Sequence, residues 1–145
     1  MRLEIINSSL TLNICGFSGI ARNKDYSATA FKLMNRMWKT VKSKKLENKG
    51  LNIWVYEEDY RVFAGLELSD MLNQDTGLEQ KSIILLKYAY YKHVGPYSLI
   101  KREAQNMKDE LKRKGYENIL PYIEIYGHWT NDETKLETEL LMCLK

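Results

Sequence analysis

A strand-helix-strand-strand pattern runs through this chain twice, and that repetition limits what it can fold into. In the first unit, apolar alternation predicts a strand over about residues 3–16, punctuated by Gly16 and Gly19. A helix is predicted over about 27–43, with Ala30, Met34, Met37 and Val41 as its apolar stripe and Leu33 and Trp38 widening it. Lys42, Lys44 and Lys45 crowd its end, where positive charge suits the helix dipole, and Gly50 marks the exit. Strands over about 52–56 and 62–69 follow, joined through the polar run from Glu57 to Arg61.

A loop over about 70–80, containing Gly77, leads to the second unit. A strand is predicted over about 82–93, stopped by Gly95-Pro96, which also opens a helix over about 97–114. Ile100, Ala104, Met107 and Leu111 form its single stripe, Lys112, Arg113 and Lys114 close it, and Gly115 follows. Strands over about 122–127 and 136–144 end the chain. Ile53-Trp54-Val55-Tyr56 of the first unit matches Ile123-Glu124-Ile125-Tyr126 of the second, each after a helix, a basic run and a glycine. The expectation is an α+β fold: two pseudo-symmetric halves, about 1–70 and 81–145, with an antiparallel sheet and a cleft at their junction. A chain of 145 residues suits one domain, 1–145, whose halves share a core.

Alternation assigns faces. Ile53, Val55, Ile123 and Ile125 point one way and are expected to meet the helix stripes. Trp54, Tyr56, Tyr122, Glu124 and Tyr126 point the other way and are expected to meet near the centre. The chain has ten tyrosines, and seven of them fall between Tyr88 and Tyr126. Tyrosine suits strands, and it also suits half-wet pockets, where a flat apolar body and one polar tip are both used. Glu124 interrupts an otherwise apolar and aromatic strand. On pattern alone it belongs either to a solvated strand face or to an aromatic-walled cleft. In the second case it would bind a lipophilic cation through charge and ring quadrupoles, or serve as a general acid or base.

Several classes are excluded or disfavoured. The two cysteines, Cys15 and Cys143, are far apart and at no metal spacing, which favours reduced thiols in a cytoplasmic protein. Two histidines, His93 and His128, cannot build a His-rich site, and no metal or cofactor motif occurs. His93 reads as a structural strand-end residue and His128 as exposed. A net charge of +3 and one lysine cluster, without interleaved aromatics, argue against nucleic-acid binding. No apolar run, Ile83-Ile84-Leu85-Leu86 included, comes near the length of a membrane span, and the first residues carry no secretory pattern.

The second half resembles a known family. Tyr88-Ala89-Tyr90-Tyr91-Lys92-His93-Val94-Gly95-Pro96-Tyr97 looks like the strand and "H-x-G-P-Y" segment of GyrI-like small-molecule-binding domains. Pro121-Tyr122-Ile123-Glu124-Ile125-Tyr126 looks like their "P-x-x-E-x-Y" strand, and Thr138-Glu139-Leu140 like the "T-E-L" of their closing strand. The resemblance covers residues 88–144. It implies the duplicated fold of effector-binding domains, without cofactor, and a ligand pocket drawing on Glu124, Tyr122, Tyr126, Trp54, Tyr56, Tyr88 and Tyr90. Trp54 and Tyr56 enter through the internal repeat. In drug-binding members the glutamate matching Glu124 meets the positive charge of the ligand. The implied function is a free-standing bacterial domain for hydrophobic, cationic small molecules: a sensor, a sequestering protein or a modulator of DNA gyrase. The alternative is a hydrolase of electrophilic cyclopropane-bearing toxins, using Glu124 and Tyr126. No helix-turn-helix precedes the repeat, so a transcription activator is not expected unless a separate regulator protein supplies the DNA-binding part.

Overall fold

The computed structural model describes residues 1–69 and 76–145, so most of the connection expected over 70–80 lies outside the described residues. Among the described residues, eight strands and two α-helices follow in order: β1 (Glu4–Ile6), β2 (Leu10–Ile20), α1 (Tyr26–Ser43), β3 (Asn52–Tyr56), β4 (Arg61–Leu66), β5 (Glu79–Leu85), β6 (Tyr88–Val94), α2 (Ile100–Arg113), β7 (Asn118–Tyr126) and β8 (Glu137–Leu144). They form one eight-stranded antiparallel sheet in the order β1-β6-β8-β7-β3-β4-β2-β5. Outward from the centre, β7-β8-β6-β1 repeats as β3-β4-β2-β5. The duplication is therefore real, and its junction is the β3–β7 ladder.

Each half's long first strand forms as two. Asn7-Ser8-Ser9 separates β1 from β2, and Leu86-Lys87 separates β5 from β6. The breaks let the chain cross between halves: β1 pairs with β6, and β5 pairs with β2. Alternation alone ran through both breaks because side-chain parity says nothing about where a partner strand changes.

The helix stripes are buried, with Ala30, Met37 and Val41 on α1 and Ile100, Met107 and Leu111 on α2. At about 1.5–3 kcal/mol for each fully buried large apolar side chain, these stripes fix both helices to the sheet. Their sheet partners differ from expectation. Met37 and Val41 pack with Cys15, Phe17 and Leu66, and Ala30 packs with Trp54 and Tyr56. Met107 and Leu111 pack with Leu140 and Met142, flanked by Tyr122 and Tyr126. Ile53, Val55 and Ile123 instead enter a cluster with Leu12, Phe63, Ile83, Tyr88 and Leu141, with Ile125 packed against it. All eight strands contribute to that cluster once half-buried Ile6 is included, so the sheet curls around its own aliphatic core. The helices cover the opposite face, the one that carries the aromatics. The curl of the sheet is not visible in the repeat, and it removes the aliphatic row from the helices' reach.

Helix ends follow local chemistry. Asp25 Oδ1 caps α1 by accepting from Ala28 N at 3.1 Å. Lys45 (φ 52°) and Gly115 (φ 81°) end the two helices in the left-handed region, so the exit from α1 precedes the expected Gly50. β7 begins at Asn118, earlier than expected, because Pro121 sits at a register shift between Ile119 and Tyr122, where its missing N–H breaks no ladder. Cys15 and Cys143 belong to clusters on opposite faces of the sheet. Among the described residues no helix is long and apolar enough to cross a membrane.

Candidate functional site

The site is built on the central ladder. β3 and β7 pair so that Trp54 faces Glu124, Tyr56 faces Tyr122 and Asn52 faces Tyr126. Strand parity puts these side chains on the helix-covered face, and α1 and α2 rise on either side as walls. Between them lies a cleft of about 960 Å³. That volume is in the range of small-molecule pockets.

Glu124 lies at the floor, 6% exposed. Its carboxylate accepts from three phenols: Tyr56 Oη at 2.9 Å and Tyr126 Oη at 2.8 Å on Oε1, and Tyr122 Oη at 2.8 Å on Oε2. Among the described residues no Lys or Arg forms an ion pair with it. A buried carboxylate normally recruits a cation; among the described residues this one is held by neutral donors. Burial, followed by the negative charge of Glu124, pushes the phenols of Tyr56, Tyr122 and Tyr126 far above the usual tyrosine range. They remain protonated donors across all ordinary pH.

The rings form a framework with the symmetry of the fold. Tyr26, first residue of α1, meets Tyr56 edge-on at 5.3 Å, and Tyr97, in the turn that opens α2, meets Tyr126 edge-on at 5.4 Å. Tyr56 stacks on Tyr122 at 5.6 Å, and Trp54 meets Tyr126 at 4.7 Å.

Of the residues expected at the pocket, the structure brings together Glu124, Tyr122, Tyr126, Trp54 and Tyr56. Tyr88 and Tyr90 are a correction. Both lie on the aliphatic side of the sheet, Tyr88 buried in that core and Tyr90 packed against it, donating to Glu139 Oε2 at 2.5 Å. β6 carries a tyrosine on both faces, and its parity relative to β7 follows only from their shared neighbour β8. Tyr26, Tyr97, Met34 and Trp129 also line the cleft. Tyr97 closes the family-like segment, and Tyr26 opens the first helix much as Tyr97 opens the second, so the repeat held a signal for both. Met34 read as plain core. Trp129, 74% exposed, sits beyond β7, where no periodicity places it. His93 is buried, its ring N–H donating to the Pro96 carbonyl at 3.0 Å, a structural tie that positions the turn before Tyr97.

No family model and no curated protein matches the chain. Solved structures do. The C-terminal domain of EcmrR superposes with a TM-score of 0.72 at 16% identity, covering 100% of this chain and 99% of that one. The fold is that of the GyrI-like effector-binding domains. SAV2435 bound to tetraphenylphosphonium matches with a TM-score of 0.65 at 17% identity, over 100% of this chain and 94% of that one. A hydrolase from Listeria innocua matches at 0.58 and 15% identity, over 99% of this chain and 92% of that one.

Proposed function

We propose that this chain binds lipophilic cations in the aromatic cleft, with Glu124 as the counter-charge. The observation that carries the reading is the buried carboxylate held by three neutral phenols and no cationic side chain among the described residues. An anion so placed is satisfied in hydrogen bonding and unsatisfied in charge. A hydrophobic cation supplies that charge at little desolvation cost of its own, and the rings around it add cation–π attraction. That SAV2435 takes tetraphenylphosphonium on the same fold supports the choice of ligand class.

A second reading, hydrolysis of an electrophilic cyclopropane-bearing toxin, draws on the pairing of Tyr126 with Glu124 and on the likeness to the Listeria hydrolase. Glu124 would take a proton from the attacking water, and Tyr126 would protonate the carbon released as the ring opens. Glu124 already accepts from three phenols, so its oxygens are engaged by the protein rather than by a water, which favours binding over turnover.

The test is titration of the protein with tetraphenylphosphonium and with triphenylphosphine oxide, followed by calorimetry and thermal unfolding, with a strained-ring substrate assayed for product alongside. Saturable binding of the cation, a raised unfolding midpoint and no product are expected. Product release would favour the second reading, and no binding of either ligand would refute the first.

A further inference from the structure

The mouth of the cleft carries charge that a simple cation does not use. Lys101 and Lys108 line it from α2, both exposed, with Ala104 between them. Neither has an acid three or four positions away: Lys101 has Tyr97, Ser98, Ala104 and Gln105, and Lys108 has Ala104, Gln105, Leu111 and Lys112. The acids of α2 are engaged elsewhere. Glu103 lies beside the Tyr91 phenol, whose pKa it helps to raise, Asp109 accepts from Gln105 at 3.0 Å, and Glu110 holds Arg113 and Lys114. Among the described residues no carboxylate lies within ion-pair distance of Lys101 or Lys108. Across the cleft, Lys24 lies over the Tyr60 ring at 5.8 Å, and exposed Asp25, among the described residues the one lining acid besides Glu124, caps α1 and offsets one of the three lining lysine charges.

So the lining is negative at its buried floor and positive at its wet rim. A bare cation meets repulsion at such a rim, the reverse of electrostatic steering. We infer that the ligand is amphoteric: a lipophilic aromatic body whose cationic centre sits against Glu124 and whose acidic group stays at the mouth between Lys101 and Lys108. This rests on the cation-binding reading and narrows it. Both lysines are exposed, so their contribution is moderate and salt-sensitive.

Two ligands sharing one cation separate the claims: butyltriphenylphosphonium and 4-carboxybutyltriphenylphosphonium, titrated calorimetrically at low and at high salt. The carboxylate compound is expected to bind about three- to tenfold tighter at low salt, as two exposed ion pairs allow. The advantage should vanish at high salt and in the variant Lys101→Gln/Lys108→Gln. It should persist in Lys112→Gln, which removes a charge from the same helix outside the cleft lining. Equal binding of the two compounds by the wild type overturns the inference and leaves the cation reading standing. A preference that survives the double substitution overturns it too, by taking the acid away from these lysines. Binding of neither compound refutes the underlying reading, and the inference goes with it.

Discussion

Trp54 and Glu124 face each other across the β3–β7 ladder, and they also hold equivalent positions in the two repeats. The same sequence separation relates Ala30 to Ile100, Met37 to Met107, Val41 to Leu111 and Tyr56 to Tyr126. The symmetry axis therefore passes between an indole and a carboxylate. Around it, Tyr26 against Tyr56 repeats as Tyr97 against Tyr126. A symmetric aromatic frame thus holds one asymmetric charge, and that charge gives the cleft its polarity.

The three phenols on Glu124 should each matter to stability. Hydrogen bonds to a charged acceptor contribute about 1.5–3 kcal/mol. Tyr56→Phe, Tyr122→Phe and Tyr126→Phe are each expected to lower the unfolding free energy by that order in urea titrations. Wild-type stability in all three would mean that Glu124 does not depend on them.

Alkaline pH should unfold the protein through the same residues. A phenol whose folded pKa is raised contributes stability that is complete below its unfolded pKa of about 10 and is lost as pH climbs beyond it. Tyr56, Tyr122 and Tyr126 all shift in that direction. Tyrosinate absorbance and circular dichroism, followed together above pH ~10, should show these three ionising only as the fold is lost. Ionisation of every tyrosine with the fold intact would contradict the burial described.

β2 and β4 meet at paired glycines, Gly16 opposite Gly65. A Cβ at Gly16 would lie 1.9 Å from the Ala64 carbonyl oxygen, and that backbone cannot retreat without breaking the ladder. Gly16→Ala is expected to lower stability by more than the usual point substitution, beyond about 1 kcal/mol. An unchanged denaturation midpoint would mean that the strands separate there freely.

Met107 is fully buried where α2 meets the sheet, so Met107→Ala should cost about 2–5 kcal/mol. Because α2 forms one wall of the cleft, ligand affinity should fall with it. A loss of stability without loss of affinity would detach the wall from the site.

Much of this was legible in the sequence, for reasons tied to particular residues. Met37 and Met107 announce their helices through period alone, and the tetrads at Ile53 and Ile123 reveal the repeat. Parity placed Trp54, Tyr56, Tyr122, Glu124 and Tyr126 on one face without any knowledge of the sheet. Parity cannot say which face a helix covers, so Ile53 and Val55 were paired with the wrong partners. Nor can it relate strands that touch only through a third, so it offers no check on Tyr88 and Tyr90, which the resemblance alone placed at the cleft. The split of β1 from β2 is a tertiary decision, made by the β1–β6 and β2–β5 pairings. Trp129 and the paired tyrosines Tyr26 and Tyr97 come from helix starts and a connecting segment, where period is absent and only the comparison of halves offers a clue.

The central claim is that Glu124 acts through its charge, and Glu124→Gln isolates that. The amide keeps the side chain's volume and one acceptor for the phenols, so stability is checked first by urea titration. The variant and the wild type are then titrated with tetraphenylphosphonium and with neutral triphenylphosphine oxide. A charge-assisted contact of about 1.5–3 kcal/mol predicts a loss of roughly 10- to 150-fold in affinity for the cation. Affinity for the neutral compound should change far less, because the aromatic walls are untouched. Equal affinity of variant and wild type for the cation, in a folded protein, would contradict the account.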